Sequence, residues 1–298
     1  MLKVEHVTKY YGDFRAVNDL SFEINDGEIF GLLGVNGAGK TTTFRMIMGL
    51  LEKTDGQITL DGKPIDYKYS DNIGFLTEER SLLPNKTVLE QAIFYCVLKG
   101  MKEKDIEEKL DKYLNEFKIS EYKNKKIKEL SKGNQQKIQF IISILHEPKL
   151  LILDEPFSGL DPINVELFKK EILRLKKNKT MIIFSSHMME HIEYFCDSLL
   201  ILVHGNTVLN GKLTDIKKEF RKKNIKVKAD INEEEIKNIK GVESIEKNKD
   251  EYIVKISDES IVQDVFKKIT KYKKVNKFVV EEPTLNEIFI SKVGESYE

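Results

Sequence analysis

The sequence predicts an α/β protein whose core carries an antiparallel β subdomain and a helical insert, followed by a small α+β domain. Three observations predict it. Uninterrupted apolar runs at 150–153, 181–184 and 199–203 suit strands buried on both faces of a parallel sheet. Alternating apolar and polar residues near the N-terminus suit strands with one wet face. Near residue 212 the texture turns lysine-rich and polar, which marks a domain boundary. With 298 residues, 40% hydrophobic and 33% charged, the chain can bury one or two ordinary cores and is too mixed to be disordered or fibrous.

Taken in order, residues 2–7, 17–24 and 29–33 read as strands, with Gly12-Asp13 and Asp26-Gly27 as turn signals between them. Residues 58–60 and 63–65 flank Asp61-Gly62 and read as a further hairpin of the same antiparallel sheet. Residues 42–51 form an amphipathic helix after the third strand. From Thr87 the pattern is helical, opened by Thr87 and Glu90 at capping-box spacing. Ile106, Leu110, Tyr113, Leu114 and Phe117 then recur on one face, giving a helical insert over about 86–148. The three apolar runs follow, and residues 165–177 supply the crossover helix between the first two. The core domain is expected over 1–212 and a linker over 213–223. An accessory α+β domain at 224–298 reads strand, helix, strand, strand, helix, strand, the βαββαβ order of a ferredoxin-like split unit. The basic residues Lys217-Lys218 and Arg221-Lys222-Lys223 read as a solvated face.

Lysine plus arginine and aspartate plus glutamate both number 49, so no net field draws the whole molecule to nucleic acid or an anionic membrane, and no nucleic-acid partner is expected. Cys96 and Cys196 have neither metal-ligand nor disulfide spacing and read as reduced, buried thiols of a cytosolic protein. No stretch approaches the roughly 18 apolar residues of a membrane span, and the first residues do not read as a secretory signal. Work at a membrane would need another protein as anchor.

The most informative segment is Gly34-Val35-Asn36-Gly37-Ala38-Gly39-Lys40-Thr41-Thr42, which fits G-x-x-x-x-G-K-[ST] after an apolar strand. Its glycines let successive backbone N–H groups point at one anion, and the helix that follows adds the positive end of its dipole. Lys40 would reach the β- and γ-phosphates of a nucleoside triphosphate while Thr41 places its hydroxyl on magnesium, which makes the core a P-loop NTPase fold. A buried strand ending in Asp154-Glu155 supplies the complement: Asp154 can hold Mg2+ through its water shell while Glu155 orients and deprotonates the attacking water. His187, just past the run at 181–184, stands at the same sheet edge as a γ-phosphate contact, and His191 one helical turn on could pair with it.

In this combination the chain resembles the ATP-binding cassette family over roughly residues 1–212. Leu130-Ser131-Lys132-Gly133-Asn134-Gln135 is similar to its LSGGQ signature, Ser158-Gly159-Leu160-Asp161 to its D-loop, His187 to its switch histidine, and Tyr11 is placed like the aromatic that stacks on adenine. The signature departs at Lys132 and Asn134 while Ser131 and Gly133 match, and Glu78 stands where the family has the Q-loop glutamine. Glutamate keeps acceptor oxygens for magnesium and water but loses the amide donor. These variants, with Pro283-Thr284-Leu285-Asn286-Glu287-Ile288-Phe289, are similar to ATPase subunits of ABC-2-type exporters that carry an extra α+β domain.

The resemblance implies ATP and Mg2+ as ligands and ATP hydrolysis as the activity. It implies a homodimer or heterodimer in which Ser131 and Gly133 of one protomer complete the phosphate site of the other. It further implies a separate transmembrane permease as partner and a cytoplasmic position on the inner face of the membrane, contacted through that partner. The alternative is a soluble ATPase switch of the same superfamily acting on ribosomes or DNA. A single phosphate loop, and too short a span from Lys40 to Asp154 for a long coiled coil, speak against it.

Overall fold

The computed structural model describes residues 1–66, 68–79, 81–220, 223–272 and 274–295. The chain gathers into two compact units, Met1–Asn210 and Gly211–Glu298.

In the first unit, β1 (Leu2–Tyr11) and β2 (Phe14–Ile24) form an antiparallel hairpin, followed by β3 (Ile29–Gly34) and α1 (Lys40–Ile47). The hairpin β4 (Asp55–Leu60) and β5 (Lys63–Pro64) joins the first sheet, whose order is β2-β1-β4-β5. Next come β6 (Ile73–Leu76) and the helical insert of α2 (Val88–Leu98), α3 (Glu103–Glu116) and α4 (Lys132–Ile144). The capping box on α2 is formed, with Thr87 and Glu90 each accepting the other's backbone N–H. Gly100, at φ 80°, separates α2 from α3. The chain then runs through β7 (Leu150–Asp154), α5 (Pro162–Lys177), β8 (Met181–Ser185), α6 (Met189–Phe195), β9 (Ser198–Val203) and β10 (Asn206–Lys212).

The second sheet has the order β10-β9-β3-β8-β7-β6, parallel from β9 to β6. Its apolar runs are buried on both faces, as their lack of alternation requires. One core joins the two sheets: Leu2, Val4, Leu20 and Ile24 meet Phe44 and Ile47 of α1 and Leu32, Ile152, Ile183 and Leu200 of the parallel strands. Phe22 and Phe30 stack across it at 4.6 Å. The helix expected at 42–51 is shorter, because α1 ends at Ile47 and Gly49 turns the chain at φ 69°.

The second unit begins with α7 (Leu213–Glu219), so the segment expected to be a linker carries a helix. Arg221 and Lys222 of the basic stretch lie outside the described residues. There follow β11 (Lys223–Ala229), α8 (Glu233–Lys237), β12 (Val242–Asn248), β13 (Glu251–Ile256), α9 (Val262–Ile269), β14 (Val275–Glu281) and α10 (Leu285–Glu295). The sheet is antiparallel in the order β12-β13-β11-β14, the ferredoxin-like arrangement that the βαββαβ pattern predicts. Ile225, Val227, Val254 and Ile256 pack on Ile236, Val265 and Ile269 to form its core. Thr284 and Glu287 cap α10 reciprocally, which gives the Pro283-Thr284 tail motif a structural role. Among the described residues no helix is long and apolar enough to cross a membrane.

Edge strand β6 sets the position of Glu78, and glycine sets the position of β6. A Cβ on Gly74 would stand 2.2 Å from the Ser143 carbonyl oxygen of α4 and 2.9 Å from a Leu151 methyl. Gly74→Ala is therefore expected to destabilise the chain by about 1–3 kcal/mol through overpacking. Urea unfolding reads the change, and an unaltered midpoint would mean that α4 can recede at no cost.

Candidate functional site

The phosphate loop leaves β3 at Gly34 with φ 157°, where a Cβ would lie 2.5 Å from the Leu202 carbonyl oxygen. It enters α1 at Gly39, φ 106°, where a Cβ would lie 2.7 Å from the Ala16 carbonyl oxygen. Only glycine fits either place, so the loop is pinned against β9 on one side and β2 on the other. The Lys40 ammonium donates to the carbonyl oxygens of Gly34 at 2.6 Å and Val35 at 3.4 Å. Burial lowers the Lys40 pKa, while the charges of Asp154, Glu155 and Glu78 oppose that shift.

Asp154 is the last residue of β7 and pairs in register with Ser185 of β8. Burial raises its pKa, opposed first by a hydrogen bond from Ser185. Glu155 turns the chain out of the strand at φ 49°, a left-handed conformation that costs a glutamate energy and marks a constrained position. Its N–H donates to the Ser185 carbonyl oxygen at 3.0 Å. Burial raises the Glu155 pKa as well, and the chief opposing influence is His187, whose Nε2 lies 3.6 Å from Glu155 Oε1. Ser186 Oγ donates to Oε2 at 3.4 Å, while Oε1 is fully buried with no hydrogen-bond partner. His191 does not pair with His187. Its ring packs edge-on against Phe157 at 4.6 Å, as part of the aromatic cluster beneath α6.

Asp154, Glu155 and His187 line one open cavity of about 560 Å³ with Tyr11, Phe14, Ala16, Asn36, Gly37, Ala38, Gly39, Lys40, Thr41, Thr42 and Glu78. Of the loop residues singled out in the sequence, Gly34 and Val35 are not on the lining, and their carbonyls accept from Lys40. Backbone donors, a lysine and a hydroxyl at the base suit a triphosphate, and two exposed aromatic residues at the rim suit a base. Phe14 was not among the expected residues. It pairs across the hairpin turn from Tyr11, and the aromatic residues on either side of Gly12-Asp13 were its signal. Among the described residues no three His, Cys, Asp or Glu side chains form a complete metal cluster. A cation held here would complete its shell with water and phosphate oxygens, as magnesium does, and the Thr41, Asp154 and Glu78 oxygens fit that use.

Ser131 and Gly133 are not on the lining of this cavity. Ser131 is the exposed N-cap of α4, accepting from the Asn134 N–H, and the first turn of α4 holds no acidic residue. A Cβ on Gly133 would lie 3.5 Å from the Gly159 carbonyl oxygen, so the signature-like turn and the turn at 158–161 lie side by side. The same helix also reaches the segment that carries Glu78. Gln139 Nε2 donates to the Thr77 carbonyl oxygen at 3.2 Å and to Thr77 Oγ1 at 2.9 Å, which ties α4 to the end of β6 just before Glu78. Gln139, Ser185 and Ser186 were legible in the sequence only as unremarkable polar residues.

A family model described as ABC transporter matches residues 17–158, and one described as ATP-binding protein DrrA1-3-like, C-terminal domain, matches residues 211–293. The chain is 48% identical over 298 residues to the ABC transporter ATP-binding protein YhaQ of Bacillus subtilis, with 100% of both chains covered. It is 34% identical over 219 residues to the linearmycin resistance ATP-binding protein LnrL of the same organism, covering 72% of this chain and 70% of that one. A solved structure of the ATP-binding subunit of an ABC transporter superposes with a TM-score of 0.70 at 31% identity, over 74% of this chain and 93% of its own. The phosphate loop, the two carboxylates at the strand end and these matches lead to one conclusion: the chain belongs to the ABC transporter family, as an ATP-binding and ATP-hydrolysing subunit.

Proposed function

We propose that this subunit drives export through a separate membrane-embedded partner, by closing two cassettes around ATP and reopening them after hydrolysis. The observation that carries the proposal is the division of the site. The cavity gathers loop, carboxylates and histidine, whereas the exposed N-terminus of α4 with Ser131 and Gly133 stands apart from it. A second protomer can bring that positive helix end to a γ-phosphate that the first protomer leaves uncovered. Export follows the resistance function named for LnrL and the accessory domain at the C-terminus.

Within each site Tyr11 stacks on the base, the backbone of 34–42 cradles the phosphates, and Lys40 neutralises charge between the β- and γ-groups. Thr41, Asp154 and Glu78 would hold Mg2+, which when bound supplies Lewis-acid stabilisation of the phosphate oxygens. Glu155 Oε1, buried and without a hydrogen bond, takes the proton of the attacking water. His187, beside that carboxylate, opposes the rise in its pKa and contacts the γ-phosphate. Residues 78–79 and 81–84 with the adjoining helical insert form the docking surface for the membrane partner; Arg80, within the expected segment, lies outside the described residues. Gln139 then links that surface to the site, because it grips Thr77 from the helix that Ser131 caps. The subunit works at the cytoplasmic face, held to the membrane by its partner. Copurification of an integral membrane protein, in place of ribosomes or DNA, tests this part of the proposal.

Lys40→Ala is expected to weaken ATP binding about tenfold or more, the worth of a charge-assisted contact, in a calorimetric titration. Unchanged affinity would show that the loop has another use. Glu155→Gln should retain ATP binding and favour the associated form while steady turnover falls by roughly 10²–10⁴; near-normal phosphate release would remove Glu155 from the base role. The pH profile gives a further check. Glu155 must be ionised to act, and its pKa is raised above 4.5, so the acid limb of kcat/KM should lie above the ordinary carboxylate range. His187→Ala removes the side chain that opposes the rise at Glu155 and should move that limb to still higher pH. A limb at or below 4.5 in the parent chain would contradict the assignment.

A further inference from the structure

The C-terminal sheet ends in an edge that its own unit leaves open. No strand among the described residues pairs with the outer side of β14, which follows β11 at the end of the order β12-β13-β11-β14. Such an edge offers a row of unpaired N–H and C=O groups, and proteins normally blunt it with charge, proline or a short strand. Here the strand is seven residues long, Val275–Glu281, and Val275, Val279 and Val280 are exposed along it. On the helix side the apolar patch continues through Phe278, whose ring meets Phe266 of α9 edge-on at 4.9 Å, and Phe266 itself is 43% exposed. The one lysine inside the strand does not guard the edge. Lys277 Nζ reaches back over the sheet to Glu251 of β13 at 2.8 Å.

The charges flanking the strand choose its partner. Lys271 and Lys274 precede it, whereas Glu281 and Glu282 close it, so the edge is positive at one end and negative at the other. Lys226 holds Glu281 at 2.7 Å, and Glu282 lies 3.9 Å from Lys223, at the limit of an ion pair. Antiparallel pairing of this strand with another copy of itself about Phe278 sets Asn276 against Val280 and Lys277 against Val279. Two steps beyond Asn276 and Val280, past Val275 against Glu281, it sets Lys274 against Glu282, twice over by the two-fold symmetry. Parallel pairing would set Lys274 on Lys274 and Glu282 on Glu282.

We propose that β14 is the pairing edge for a second copy of this chain, joining two C-terminal sheets into one eight-stranded sheet with Lys274 of each copy facing Glu282 of the other. The contact gives the subunits a meeting point that requires no nucleotide. It does not rest on the ATP-driven association proposed above.

The test uses the full-length chain without nucleotide and with EDTA, carrying Asn276→Cys and Val280→Cys together. Within one copy these positions are about 13 Å apart along an extended strand, beyond disulfide reach, so only a neighbouring copy can bridge them. The native Cys96 and Cys196 are buried, and burial pushes the Cys96 thiol up to about 11, so the parent chain is the silent control. Mild oxidation is expected to give a covalent dimer with the double variant and none with Val280→Cys alone. No dimer from the double variant would overturn the proposal, as would equal cross-linking by Asn276→Cys alone, the mark of a parallel or shifted pairing. In sedimentation equilibrium Lys274→Glu should weaken nucleotide-free dimerisation about tenfold, and Lys274→Glu combined with Glu282→Lys should restore it. If the combined variant stays as weak as the single one, charge matching is not what sets the register. The ATP-dependent association of Glu155→Gln is read separately on the same chains, so either association can fail without the other.

Discussion

A lysine held among carboxylates in a partly dry cleft is the interaction on which the rest of this structure depends. Lys40 loses solvation as it enters the cavity, and Asp154 and Glu155 lose theirs at the end of β7. Each is tolerable because the others are present: the carboxylates oppose the fall in the lysine pKa, and the lysine opposes the rise at Asp154. Low local dielectric makes these charges act strongly on one another and on any phosphate that enters. The arrangement therefore spends folding stability on a site prepared for charge. The left-handed backbone at Glu155 and its Oε1, buried without a hydrogen bond, express the same constraint in geometry.

The fold serves that cluster. A parallel sheet brings the ends of β3, β7 and β8 to one edge, and each contributes a functional group at its end or in the turn that follows. The antiparallel sheet supplies the aromatic rim, and the shared core around Phe44 fixes the two sheets together. The helical insert approaches from the far side of β6. Through Gln139 and Thr77, a change at the exposed end of α4 can be felt by the segment bearing Glu78. A cassette that must report its nucleotide to a membrane partner needs a link of that kind, made of few contacts on a packed helix.

Much of this was legible in the sequence because the signals are local. The glycine spacing around Lys40, the unbroken run before Asp154-Glu155 and the cap at Thr87 each depend on neighbours a few residues away. The six-element C-terminal pattern was readable for the same reason, since short alternating strands carry their own period. What escaped depends on distant partners. Strand β6 is four residues with a glycine inside, and it is a strand because β7 lies beside it and α4 tolerates its bare backbone. The helix α7 occupies a segment whose lysines read as a linker, although Leu213 and Ile216 are buried. Ser185, Ser186 and Gln139 gain their importance only from what the fold sets against them. The histidine pair failed because Phe157 claims His191.

The central claim is that a complete catalytic site needs groups from two chains. Mixing complementary variants measures this most directly: Lys40→Ala, which spoils the loop, and Ser131→Arg, which blocks the helix end with a bulky cation. Each alone should be inactive in phosphate release. Mixed in the presence of the membrane partner, they should recover activity, because the intact helix end of the first faces the intact loop of the second. If the mixture stays as inactive as its components while each variant still folds and associates, the site is built within one chain and the account is wrong.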